Sequence, residues 1–141
     1  MSNVLAGIGR GQLKVLDRRV EQKRFIINFY NEHLSGLDGL EIMPVQDYDK
    51  PNYWLSCILL SGKVKPVHVV EVLETENIES RPIWKPMHLQ PFFQEYDFVT
   101  LHDQGSVSEA VFGRGVCLPS DTKMTGEDLE RVVAFIRGLW R

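Results

Sequence analysis

A chain of 141 residues that is 43% hydrophobic and 25% charged has the composition of a single ordinary globular domain. Its net charge of −3 supplies no basic field for a nucleic acid, no apolar run approaches membrane-spanning length, and Val4 to Ile8 is too short before Arg10 for a signal peptide. Cys57 and Cys117 make neither a CxxC motif nor a disulfide framework, so free thiols and a cytoplasmic setting are expected.

In chain order, residues 3–34 read as one long helix, with Leu13, Leu16, Val20, Ile27, Tyr30 and Leu34 on one stripe and Gly36 and Gly39 as stop signals. Gly7, Gly9 and Gly11 invite a phosphate-loop reading. No strand precedes them, the third dinucleotide glycine is out of place and no GK[ST] follows, so close backbone approach is the better physical reading. Residues 40–45 form a short strand candidate. Residues 53–61 are the strongest strand in the chain, closed by Gly62. Pro66 suits the first turn of a helix reaching about Glu76, and residues 78–83 are predicted to return as a strand carrying Arg81.

The run Arg81-Pro-Ile-Trp-Lys-Pro-Met-His-Leu-Gln-Pro-Phe92 follows. Its three prolines exclude helix and bias the residues before them to extended backbone. Arg81, Lys85 and His88 suit an anion, and Trp84 suits a flat or ring-shaped group. The competing reading is a connector whose Trp84, Met87 and Leu89 fill a core and whose cations are solvated. Residues 92–96 look like one helical turn packed by aromatics. Ser106 to Phe112 reads as a helix with a Ser106/Glu109 capping box, ended by Gly113 and Gly115. Residues 116–118 are a strand piece. Thr125 caps the last helix, which has Asp128 in its first turn and Leu129, Val132, Val133, Ile136 and Trp140 on its inner face. A small antiparallel or mixed sheet with helices on one face is the natural packing solution.

Other motifs carry less. Ser120 and Lys123 match S-x-x-K, but Pro119 before them and a capped helix after them favour a loop. His33, His68, His88 and His102 have no metal-ligand spacing; His33 and His68 read as half-buried helix residues, and His102 lies in a polar loop. His88 reads equally as a ligand contact or a loop brace. No lysine or carboxylate pair offers a visible catalytic engine.

Four segments in one order carry a resemblance: Met1–Leu13, the run Arg81–His88, Gly105–Glu109, and Gly115–Asp121 with Thr125–Arg131. Together they resemble the C-terminal part of the DegT/DnrJ/StrS sugar aminotransferases, across essentially the whole chain. The resemblance implies the α/β (α+β) small domain of the aspartate aminotransferase fold. It implies a long helix over residues 1–37, at a dimer or large-domain contact, and the small domain over 38–141. In that family pyridoxal phosphate serves an amino transfer, typically from glutamate, to a nucleotide-linked keto sugar for glycan biosynthesis, by a homodimer. The resemblance places Arg81, Trp84, Lys85 and His88 near the sugar nucleotide and Asn3 nearer the cofactor, with no metal. The Schiff-base lysine and an Asn-Tyr-Arg segment lie upstream of Met1 in the family. The expectation is therefore a portion that is not catalytic alone; a non-catalytic binding or dimerisation module is the alternative.

Overall fold

The structure, a computed structural model, describes residues 2–100 and 105–141; His102 lies outside them. Four strands make one antiparallel sheet in the order β1-β2-β4-β3: β1 (Leu40–Ile42), β2 (Ser56–Leu60), β3 (Arg81–Pro82) and β4 (Gly115–Leu118). The helices are α1 (Asn3–Leu13), α2 (Leu16–Leu34), α3 (Pro66–Thr75), α4 (Val107–Arg114) and α5 (Gly126–Gly138).

Register sorts the sheet into two faces, because cross-strand partners share a face. Leu40 and Leu60, Ile42 with Ile58 and Val116, and Ser56 with Leu118 lie on one. Against them pack Ile26, Tyr30 and Leu34 of α2, Val69 and Leu73 of α3, and Leu129, Val132, Val133 and Ile136 of α5, forming the hydrophobic core. This is the α/β arrangement expected, with these helices on one face. Glu41, Leu59 and Gly115, and then Cys57, Cys117 and Arg81, lie on the other face, which the core helices leave open.

The single N-terminal helix divides in two. Lys14 and Val15 form a turn, and Val15 (φ −114, ψ 3) leaves the helical region. The three glycines each weaken a helix by about 0.5–1 kcal/mol relative to alanine. No residue of α1 is buried, so no packing compensates. The predicted stripe is correspondingly half right: Ile27, Tyr30 and Leu34 are buried, whereas Leu13 and Leu16 are 70% and 50% exposed. A Cβ at Gly7, Gly9 or Gly11 would meet nothing within 4 Å, so no described backbone approaches them.

The strand predicted over 78–83 shrinks to Arg81–Pro82. Asn77 takes a left-handed conformation (φ 57), with its N–H on the Glu74 carbonyl (3.0 Å) and the Ile78 N–H on the Leu73 carbonyl (2.9 Å). That Schellman closure of α3 commits residues 77 and 78 to the helix end. At the other end of the core, Arg137 and the Trp140 indole donate to the carbonyls of His33 (2.8 Å) and Asp38 (2.9 Å), tying α5 to the end of α2. Thr125 and Asp128 form the reciprocal cap on α5, and those two bonds from Thr125 hold the Asp128 carboxyl below its ordinary pKa. His68 is exposed rather than half-buried, its Nδ1 accepting from the Lys65 N–H (3.2 Å) at the mouth of α3. His33 is half-buried and stacked on Phe29, as a helix residue with an aromatic one turn earlier should be.

Candidate functional site

The proline run leaves the sheet through one bond, Ile83 N–H to the Gly115 carbonyl (3.2 Å), with the Ile83 side chain lying over Gly115. It then stays extended to Pro86 and closes into two 3-10 turns, Met87–Leu89 and Pro91–Phe93. The first turn was not anticipated. The Gln90 side chain donates to the Lys85 carbonyl (3.3 Å), bracing the extended part against the turn. Phe93 packs between Phe92 (5.1 Å between centroids) and Tyr96 (6.2 Å), the aromatic turn that the sequence predicts. The core-filling half of the connector reading fails: Trp84 and Met87 are 61% and 62% exposed, and Leu89 stands outside the core. Its other half, solvated cations, agrees with the exposed Arg81 and Lys85.

Each predicted site residue has its own setting. Arg81 donates through its guanidinium to the Glu79 carboxylate (Nε–Oε1 2.7 Å), both side chains largely exposed. An exposed pair of this kind contributes about 0–1 kcal/mol, so an incoming anion competes for it at low cost. The Lys85 side chain is exposed and makes no hydrogen bond or ion pair among the described residues. His88 is turned inward. Its Nε2 meets the Glu109 Oε1 at 2.7 Å and its ring stacks on Phe98 (centroids 3.6 Å, 15°), with 14% of the side chain exposed. Glu109 was read as half of a capping box. Its N–H does bond the Ser106 Oγ (3.3 Å), but its carboxylate is spent on His88. His88 therefore pins the run to α4. Asn3 is exposed in the first turn of α1, just after the Ser2 cap.

Sequence reasoning missed Trp54. The Trp84 indole lies on the Trp54 indole (centroids 5.6 Å, 15°), although the two rings belong to segments thirty residues apart. Both residues are more than half exposed, so the stacked pair forms an open two-indole surface. Its foundation is Lys23 of α2. The Lys23 ammonium donates to the Trp54 carbonyl (2.9 Å) and to the Ser120 carbonyl, with a longer contact to the Ser120 Oγ (3.4 Å). Burial lowers its pKa, and the Asp121 carboxylate opposes that shift. Ser120 and Lys123 do lie in a loop.

The two thiols sit directly opposite one another across β2 and β4, Sγ to Sγ 3.7 Å, both free. Desolvation first, and the neighbouring Cys117 second, push the Cys57 thiol up to about 12. The sign follows from linkage: the folded thiol holds its proton above the ordinary value of 9, so this stabilisation is complete below about pH 9 and is lost as pH rises towards 12. Cys57→Ala is expected to flatten the alkaline fall in unfolding free energy between those limits. The Lys23 contribution, which runs in the opposite sense, is common to both proteins and cancels. Parallel wild-type and variant curves would contradict this.

A mixed-charge cleft of about 530 Å³ lies elsewhere, between the end of α3 and the start of α5, lined in part by Glu79, Asp121, Lys123, Asp128 and Arg131. It meets the candidate site at Glu79 and, through Ser120 and Asp121, at the loop that Lys23 holds. A smaller cavity of about 210 Å³ sits under His88, walled by Met87, Phe93, Tyr96 and Phe98. Among the described residues no cluster of His, Cys, Asp or Glu could hold a metal, and no helix is long and apolar enough to cross a membrane.

The description of the DegT/DnrJ/EryC1/StrS aminotransferase family matches residues 1–137. The chain belongs to that family. It is 44% identical over 140 residues to EpsN of Bacillus subtilis (strain 168), which carries the name of a pyridoxal phosphate-dependent aminotransferase; the match covers 99% of this chain and 36% of EpsN. It is 30% identical to the GDP-perosamine synthase of Vibrio cholerae, over 97% of this chain and 37% of that protein. The crystal structure of DesI, solved in the presence of its TDP-sugar product, superposes with a TM-score of 0.82 at 22% identity, covering 97% of this chain and 35% of DesI, and so shows the same fold. The chain thus spans about a third of the length of the relatives it matches.

Enzymes of this family depend on pyridoxal phosphate, and these residues alone do not make a site that fits it. Of the seven lysines, six are exposed, and the seventh, Lys23, has its ammonium committed to Trp54 and Ser120. Lys123 lines the mixed-charge cleft with Arg131, but there the carboxylates of Glu79, Asp121 and Asp128 oppose a phosphate. What the proline run does present is two exposed cations, Arg81 and Lys85, and the exposed Trp84 indole.

Proposed function

We propose that these 141 residues are the C-terminal, substrate-sugar side of an aminotransferase that moves an amino group, from glutamate, to a nucleotide-linked keto sugar for glycan biosynthesis. Family membership over residues 1–137 carries the reading, and the outward-facing Trp84 and Lys85 support the roles within it. Arg81 and Lys85 meet the diphosphate, Trp84 meets the nucleoside, and His88 fixes the run that holds them. Asn3 stands nearer the cofactor. Pyridoxal phosphate, held by the remainder of the enzyme, supplies the electron sink. Within this division residues 1–37 form a contact element and residues 38–141 the small domain, the enzyme works as a cytoplasmic homodimer, and the 141 residues alone are inactive.

The test is equilibrium binding of a nucleoside diphosphate. Arg81→Ala and Lys85→Ala are each expected to weaken binding about tenfold, the loss of one charge-assisted contact. Unchanged affinity in both would remove this run from the substrate site. A second reading, a dimerisation or binding module without catalysis, is favoured by one observation: Val4, Ile8 and Leu13 are 72%, 56% and 70% exposed on α1. A monomer by sedimentation would speak against that reading.

A further inference from the structure

We infer that Trp54 is a positioning residue for a nucleoside diphosphate, bracing Trp84 so that the outer indole face presents a fixed platform to the base. The inference rests on the proposed placement of Trp84 at the substrate. It adds a residue outside the proline run, on a loop that the sequence gives no reason to associate with a ligand.

Three observations converge. First, an exposed tryptophan on an extended segment has no intrinsic reason to hold one ring plane, since its rotamers interconvert freely in water. Here the Trp84 ring is nearly parallel to Trp54, 15° between planes and 5.6 Å between centroids. Offset stacking of this kind favours one orientation and leaves the second face of Trp84 open. Second, the backbone that carries Trp54 is itself fixed, so its ring starts from a set position. The Trp54 N–H bonds the Asn52 Oδ1 (3.2 Å), its carbonyl accepts from Lys23, and Tyr53 before it holds a left-handed backbone (φ 49) that a tyrosine does not adopt unless its surroundings impose it. Third, Lys85 follows Trp84 directly and its ammonium has no partner among the described residues. An extended backbone sends consecutive side chains to opposite sides, but the flexible four-carbon stem of Lys85 lets its ammonium reach a phosphate of a nucleotide whose base lies on Trp84. A base stacks on an aromatic whatever its identity, so the platform recognises nucleotides as a class.

The experiment is calorimetric titration of the 141-residue chain with GDP and, separately, with pyrophosphate, which has the charge without the base. Trp84→Ala is expected to weaken GDP about tenfold and Trp54→Ala about fivefold. Trp54→Phe, which keeps a stacking face, stays within about twofold of wild type. Pyrophosphate affinity is unchanged by all three. Circular dichroism supplies the structural readout: the couplet of two stacked indoles disappears in Trp54→Ala and in Trp84→Ala.

If Trp84→Ala weakens GDP and Trp54→Ala does not, the bracing role is overturned and the substrate reading stands. If neither Trp84→Ala nor Lys85→Ala affects GDP, both fall. A parallel loss of pyrophosphate in Trp54→Ala would make Trp54 a purely structural residue and overturn the inference. So would a wild-type chain that does not bind GDP, or one that lacks the couplet.

Discussion

Gly115→Val is expected to destabilise the domain by roughly 3 kcal/mol and to weaken nucleotide binding beyond what the stability loss explains. Gly115 has ordinary extended dihedrals (φ −99, ψ 143), so conformational freedom is not why glycine stands there. Space is. A Cβ at this position would lie 2.8 Å from the Val111 carbonyl oxygen and 2.7 Å from the Ile83 Cγ1. The isoleucine can turn aside; the carbonyl belongs to the last turn of α4 and cannot move without the helix. Displacing Ile83 also disturbs the single bond by which the proline run leaves the sheet, Ile83 N–H to the Gly115 carbonyl. Chemical denaturation and GDP titration of the same variant separate the two effects. Adding Ile83→Ala should restore part of the stability, because it removes one of the two obstructions, and none of the binding. A variant with the wild-type denaturation midpoint would show that the close approach is not real.

Lys23→Met is expected to lower unfolding free energy by about 2–3 kcal/mol, the penalty for leaving half-buried acceptors without their donor. Methionine keeps most of the stem, so lost packing contributes little. The Trp54 and Ser120 carbonyls both lose an ammonium N–H. Ser120 Oγ still reaches the Trp54 carbonyl, but at 3.4 Å, too long to compensate. Tyr30 nearby holds the same loop through the Pro119 carbonyl (2.8 Å) and remains intact, so the loop loosens at Ser120 and Trp54 rather than detaching. Thermal unfolding checks the magnitude, and no change in midpoint would mean that water replaces the ammonium without loss.

Much of the architecture was legible because periodicity, caps and glycines agree. Pro66 starts α3, Thr125 and Asp128 start α5, and the inner face of α5 from Leu129 to Ile136 is buried as its spacing requires. The errors have physical causes. The stripe from Leu13 to Leu34 is continuous in sequence, but only its second half meets this domain, so periodicity alone could not locate the break at Lys14 and Val15. The strand over 78–83 was lost to the left-handed Asn77, whose cap on α3 no hydrophobic pattern signals.

In the candidate site, the extended backbone of the proline run was readable from the prolines, and the exposure of Trp84 and Lys85 fits the ligand-facing reading. The partners were not readable. Trp54 looked like the edge of a strand, Lys23 like one more cation on a polar helix, and Glu109 like a capping residue. Each meets its partner over a distance of 21 to 97 residues in the chain, which no local spacing encodes.

The most direct test of the central claim joins these 141 residues to the portion of EpsN outside their match and assays amino transfer from glutamate to nucleotide-linked keto sugars, beside the 141-residue chain alone. The account predicts no turnover by the chain alone. It predicts turnover by the joined protein, with KM for the sugar nucleotide raised about a hundredfold when Trp84 and Lys85 are both replaced by alanine, roughly the sum of one stacking and one charge-assisted contact. Turnover by the chain alone, or an unchanged KM in the double variant, would contradict it.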